Sequence, residues 1–338
     1  MAYDNLTFDK SIYAANLDFT KALEALDPSS AYLGTELAGT DAFERQLLRY
    51  GIRLKGTDAS RVEKFFQNAQ TAVLFPEYIA RTVRTALEEA EVLNRLCAVR
   101  THIDGMDYRS IESTDLAAID VAEAIAEGAE LGTTQIKNKA QLVQLQKYGR
   151  RIMASYEAVR GHSIALFTVM LKRIGTEMAN AQLNAAVTTL LTSVDAANTI
   201  ACDGTTANLQ ALAQLWSAFE SSPLSVLICG MQRFTEIVSD YDFTRPDAGL
   251  KFVGTGNPGT PVGALLIKSA LVPDDCILGL AGSDALEMVE SGSIVTDYEK
   301  WISHQFDCAS VTATAGFNVI TPASVKKLTF GASGESDG

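Results

Sequence analysis

The 338-residue chain lacks most of the short patterns that announce chemistry. Its five cysteines, Cys97, Cys202, Cys229, Cys276 and Cys308, form no Cys-x-x-Cys pair, which removes the usual zinc-ribbon and thiol-redox readings and leaves small buried hydrophobes. Three histidines, His102, His162 and His304, lie far apart and outside any His-Glu-x-x-His pattern. There is no Gly-x-Ser-x-Gly elbow to expose a nucleophile. The glycine-rich stretch Gly254–Gly263 superficially resembles a phosphate loop, but it lacks the Lys-Ser/Thr that reaches phosphate and magnesium, and Pro258 and Pro261 remove cradle amides. No apolar run approaches the roughly 20 residues of a membrane span, and Met1–Ser11 has no signal-peptide core. The expectation is a soluble, cytosol-made protein that is not an enzyme, with no catalytic residue, cofactor, metal or membrane contact.

What is present is material for a core. Hydrophobic residues make up 47% of the chain and charged residues 20%, a globular balance far from the disordered class. The formal charge of −13 repels phosphate backbones, so sequence-independent binding of nucleic acid over a broad surface is not expected.

Residues 1–56 mix short apolar clusters with breaks at Asp27-Pro28, Gly34 and Gly39, and read as an irregular arm with short helical turns. Asp58 is placed to cap a helix bearing Val62, Phe65 and Phe66, and a second helix is expected after Pro76, with Ile79, Val83, Leu87, Val92 and Leu96 on one face. Between Val99 and Glu157 the helical period fades into strand and loop, interrupted by Asp104-Gly105, with a short helix at Ala117–Ala126 and an extended Gln141–Ser155. Such an excursion exceeds ordinary connections and calls for something to lie on, its own body or a neighbour. Ile164, Phe167, Leu171, Ile174, Met178, Ala181 and Ala185 then mark one long helix running to Leu190 and Leu191. An alternating segment follows: helix Leu209–Glu220, strand Ser225–Cys229, helix Gln232–Ser239, and strands Val262–Ile267 and Cys276–Leu280. Two adjacent strands are expected within Ser293–Phe330. The many carboxylates, Glu88, Glu89, Glu91, Glu123, Glu127 and Glu130 among them, read as solvated. The basic cluster Lys147, Arg150 and Arg151 has no obvious counter-charge in the local sequence, and reads either as a solvated strand face or as a charge contact with an acidic neighbouring subunit.

The order of these parts resembles the Hong Kong 97 type of major capsid protein of tailed bacteriophages. The resemblance is carried by Ala126-Glu127-Gly128-Ala129-Glu130, then Val143, Leu145, Lys147, Arg150-Arg151 and Ile152, then Ser155-Tyr156-Glu157 and the long helix. It resumes at Gly292-Ser293-Ile294, the strand with Phe306, Gly316-Phe317-Asn318-Val319-Ile320 and Pro322-Ala323. It spans about 76–330 and rests on element order.

The resemblance implies an α+β capsid fold. Its parts would be an amino-terminal arm with the first helix (1–70), a peripheral domain with the long backbone helix (71–100, 144–200 and 292–330), an extended loop (101–143), an axial domain (201–291) and a polar tail (331–338). It further implies self-assembly as pentamers and hexamers into an icosahedral shell around double-stranded DNA, without sequence-specific binding. A portal, a separate scaffolding protein and a decoration protein are the partners it admits, with assembly in the bacterial host cytoplasm and a final place in the virion. Lys137, Lys139, Lys147, Arg150 and Arg151 are the expected intersubunit contacts. The lysine–asparagine cross-link of some family members is not carried over, because no local motif marks a partner. The alternatives are an encapsulin-type nanocompartment, told apart by its cargo, and an α+β enzyme with its site in Ala201–Leu280.

Overall fold

In the computed structural model, which describes residues 4, 6–7, 19–89, 91–115, 134–155, 157, 161–219, 222–239, 260 and 262–331, the chain divides into two compact units. The first comprises residues 1–90, 147–180 and 293–314, the second 91–146, 181–292 and 315–338. The expected helix at Ala117–Ala126, the Ala126–Glu130 segment, most of Gly254–Gly263 and nearly all of the polar tail lie outside the described residues.

The elements are, in order, helices α1 (Phe19–Leu26), α2 (Ala42–Arg49), α3 (Ala69–Glu88) and α4 (Glu91–Leu96), strands β1 (Cys97–Ile103), β2 (Ile111–Asp115), β3 (Thr134–Asn138) and β4 (Gln146–Ser155), and the long helix α5 (Ile164–Ser193). They continue with β5 (Thr199–Ala201), α6 (Leu209–Ser217), β6 (Val226–Cys229), α7 (Met231–Ser239), β7 (Leu265–Lys268), β8 (Cys276–Leu280), β9 (Leu286–Trp301), β10 (Phe306–Val319) and β11 (Val325–Thr329). No helix among the described residues is long and apolar enough to cross a membrane, and all five cysteines are free.

In the first unit, residues 19–56 do more than form an irregular arm. Phe19 and Leu23 of α1, Phe43 and Leu47 of α2, and Ile52 enter one core with Phe65, Phe75, Tyr78 and Leu171. Asp58, expected to cap a helix, instead lies exposed beside Arg53, and Val62–Phe66 forms a short 3₁₀ turn. The true cap is Asn68, whose side chain accepts from the Thr71 amide while Thr71 Oγ1 accepts from the Asn68 amide, so α3 starts at Ala69 and runs through Pro76. Proline costs an amide donor there. The capping box and the burial of Val73, Leu74 and Phe75 outweigh that loss.

Helix α5 buries Ile164, Leu171, Gly175, Met178, Gln182, Ala186 and Leu190. The expected stripe matches as far as Met178. It then shifts by one residue, from Ala181 and Ala185 to Gln182 and Ala186, because a straight helix of 3.6 residues per turn drifts away from a strict seven-residue repeat. Gly175 marks the closest approach of α5 to α3: a Cβ there would stand 2.6 Å from Ala86 Cβ and 3.0 Å from the Val83 carbonyl oxygen. Gly175→Leu is therefore expected to destabilise the unassembled subunit by about 1–3 kcal/mol through overpacking, read as a lower urea midpoint at unchanged slope.

The second unit is built on a five-stranded mixed sheet in the order β5-β11-β8-β6-β7. Its central strands β6 and β8 are buried along their whole length, and α6 and α7 supply Leu212, Leu215 and Ile237 to the same core. A second sheet has the order β1-β9-β10-β4. The start of β9 pairs in parallel with β1, and β4 forms the opposite edge.

Candidate interaction site

Among the described residues, strands β2 and β3 pair only with each other, as an antiparallel ribbon within the long excursion. The register sets Glu112 opposite Lys137 and Ser113 opposite Ile136. Because side chains alternate along a strand and opposite residues share a face, Ile111 and Ile136 fall on one side, Glu112 and Lys137 on the other. The charged side carries a loose ion pair at 3.8 Å, both partners well exposed, and contributes little to stability. On the apolar side Ile111 is 52% and Ile136 69% exposed. A two-stranded ribbon with bare isoleucines is not stable in water by itself.

The root of this ribbon is fixed by Glu287 of β9, a buried carboxylate. It accepts hydrogen bonds from Thr101 Oγ1 at 2.6 Å, Tyr108 Oη at 2.7 Å and Ser110 Oγ. Burial raises the Tyr108 phenol above its ordinary range, and the hydrogen bond to the Glu287 carboxylate raises it further. The Lys139 amide donates to the Ser110 carbonyl and the Val143 amide to the Tyr108 carbonyl, closing the two sides of the root. Lys139 itself turns inward: its ammonium donates to the Val319 carbonyl at 2.6 Å and lies 3.4 Å from Asn318 Oδ1. Burial pulls it below the usual lysine range, against the opposing pull of Glu112 and Glu287.

The basic cluster on β4 is split by the same alternation. Tyr148, Ile152 and Ala154 pack on the first unit's core, and Arg150 shares their side, pairing with Glu177 of α5 at 2.9 Å. Lys147, Arg151 and Met153 point the other way and are exposed. The Arg151 guanidinium sits 5.0 Å from the ring centre of Trp301 on β9, and that indole in turn stands 4.9 Å from the His304 ring. Of the five residues expected at contacts, Lys139 and Arg150 are thus engaged within the subunit, Lys137 stands on the ribbon's charged side, and Lys147 and Arg151 face outward together. Sequence gave no signal for Glu287 or Trp301, since their roles depend on pairing across sheets. Among the described residues no group of histidines, cysteines and carboxylates could hold a metal ion.

Comparison with known proteins bears on what such surfaces meet. The family described as phage capsid protein matches residues 138–317, more than half of the chain. No curated protein sequence matches. Among solved structures, the capsid subunit of a native GTA particle aligns with a TM-score of 0.54 at 15% identity, covering 71% of this chain and 90% of that one. The subunit of an empty GTA particle gives 0.51 at 16% identity over the same shares. A subunit of the holo-SrpI encapsulin complex from Synechococcus elongatus PCC 7942 gives 0.49 at 13% identity, covering 70% and 86%. The α+β architecture is the Hong Kong 97-type fold. Matched over more than half its length, the chain belongs to the phage capsid protein family.

Proposed function

We propose that this major capsid protein closes, as pentamers and hexamers of itself, into an icosahedral shell around double-stranded DNA, and that its work is assembly rather than catalysis. The observation that carries the reading is the β2–β3 ribbon, whose two isoleucines are exposed on a ribbon too thin to stand alone. Repeated contacts between copies would cover it, and such contacts close into shells when the rotation between subunits closes. In this reading 71–100, 144–200 and 292–330 act as the peripheral domain, 201–291 as the axial domain, 101–143 as the extended loop and 1–70 as the amino-terminal region. The portal, a separate scaffolding protein and a decoration protein are further partners, with assembly in the host cytoplasm.

The test is expression of the chain, alone and with a scaffolding partner, followed by size-exclusion chromatography and negative-stain microscopy. Shells, tubes or capsomer rings are expected. A uniform monomer or dimer under every condition would sink the reading, and particles filled with a protein cargo rather than DNA would turn it toward a nanocompartment.

The split of the basic cluster gives a sharper expectation. Arg151 faces outward and Lys147 beside it, so Arg151→Glu should cut shell yield by about tenfold or more through misplaced charge at a contact, while leaving the subunit folded. Arg150→Glu faces Glu177 of its own chain, and should lower subunit stability by less than about 1 kcal/mol and spare assembly. Equal yields from the two variants, measured by sedimentation of particles, would remove Arg151 from the contact.

A further inference from the structure

We infer that Lys139 and Asn318 are the two halves of a covalent link inside the subunit, an amide formed between their side chains with release of ammonia. The inference stands on the folded subunit and does not depend on the shell reading. The link ties the chain to itself and joins no two copies, and each chain reacts once.

The two side chains come together from positions 179 residues apart. Lys139 follows β3, and its backbone amide is held by the Ser110 carbonyl at 2.7 Å. Ser110 is held in turn by the buried Glu287 carboxylate. Asn318 lies near the end of β10, and the strand is fixed on either side of it. The Ile320 amide donates to the Ala285 carbonyl, and Gly316 packs so closely that a Cβ there would stand 2.6 Å from the Gln144 carbonyl oxygen. Between these two anchored backbones the Lys139 ammonium already stands 3.4 Å from Asn318 Oδ1. Holding a nucleophile and an electrophile in such an arrangement turns a bimolecular step into a unimolecular one.

The second observation concerns the nitrogen that would leave. Asn318 Nδ2 is buried and has no hydrogen-bond partner among the described residues. A buried donor left unpaired is costly. On the other side of the pair, burial favours the neutral form of Lys139, the form that attacks a carbonyl carbon, against the opposing pull of Glu112 and Glu287. A lysine that only donated to the Val319 carbonyl would satisfy its own ammonium and leave Asn318 Nδ2 stranded. The amide removes both a partly buried charge and an unpaired donor.

The step balances without a co-reactant. Lys139 Nζ bonds to Asn318 Cγ, and the bond from Cγ to Nδ2 breaks. Counted from the ammonium form, Nζ gives up two protons and the departing nitrogen takes both, so an ammonium ion is released and nothing is oxidised or reduced.

Intact-mass spectrometry of the full chain, as subunits and as particles, should give a mass below that of the sequence by one ammonia. Tandem spectra of a protease digest should contain a branched peptide joining the Lys139 segment to the Asn318 segment. Lys139→Arg and Asn318→Ala should each restore the mass of their own sequence and abolish the branched peptide. An ammonia loss that persists in Lys139→Arg would place it in a backbone succinimide and overturn the inference. The full sequence mass in subunits and particles alike, with the two peptides separate after prolonged incubation at mildly alkaline pH, would equally overturn it and leave the shell reading standing.

Discussion

Replacing Arg45 by alanine should cost the unassembled subunit about 3–5 kcal/mol, the largest loss expected from any single change in its amino-terminal region. Arg45 of α2 is fully buried. Its Nε donates to Asp27 Oδ2 at 2.8 Å, one terminal nitrogen to the Asp27 carbonyl at 2.6 Å, and the other to the Thr40 carbonyl at 2.6 Å and Ser29 Oγ at 3.1 Å. The guanidinium also lies over the Tyr32 ring, whose hydroxyl donates to Asp27 Oδ1. Removing the cation leaves the buried Asp27 carboxylate with its charge uncompensated among the described residues and with the neutral Tyr32 hydroxyl as its remaining donor there. The size of the loss comes from that stranded charge and from the Asp27 carbonyl that loses its guanidinium donor, more than from the pair itself. A double variant, Asp27→Leu with Arg45→Met, should therefore recover much of the stability, since swapping both partners of a buried pair for apolar groups is often neutral or better. Urea denaturation of the three proteins checks this. If Arg45→Ala alone shifts stability by less than about 1 kcal/mol, the network is not what holds α1 and α2 to the core.

The same residue shows where sequence reasoning stops. The long helix, the paired strands of the second unit and the excursion on β4 were legible because their signals are local: period, alternation and turn residues. Helices α1 and α2 are eight residues each, too short for a period to stand out, and what fixes them is an arginine that in sequence reads as a surface charge. A second stitch, Arg81 of α3 bonded to Glu77, Asp41 and Thr20, is equally silent in sequence, because its partners are up to 61 residues away. The basic cluster was legible as charge but not as direction. Whether Arg150 and Arg151 act together depends on which side of β4 meets the core, and that is decided by Tyr148 and Ile152 packing against it. Residues 101–143 were legible as an excursion from their broken periodicity, whereas its root was not, since Glu287 follows its hydroxyl partners by 177 to 186 residues.

Glu287→Ala should release that root, with an expected local loss of about 2–3 kcal/mol, equivalent to on the order of 30- to 150-fold more frequent opening. Three hydroxyls now converge on one carboxylate, and alanine would leave Ser110, which is buried, without its acceptor. Bonds to a charged acceptor are each stronger than neutral ones, so the loss is larger than for a typical side-chain hydrogen bond. Glutamine keeps one carbonyl oxygen in the same place and should retain part of the effect. The consequence is directional: a ribbon whose base opens can no longer present Ile111 and Ile136 in one orientation, so the alanine variant should fold, show faster proteolysis within 101–143, and yield few or no shells. The glutamine variant should lie between it and the parent in both measurements. Limited proteolysis of unassembled subunits, run beside particle sedimentation, separates the outcomes. Normal shells from a subunit with a rapidly cut excursion would mean that the neighbour, and not Glu287, sets the ribbon's direction during assembly.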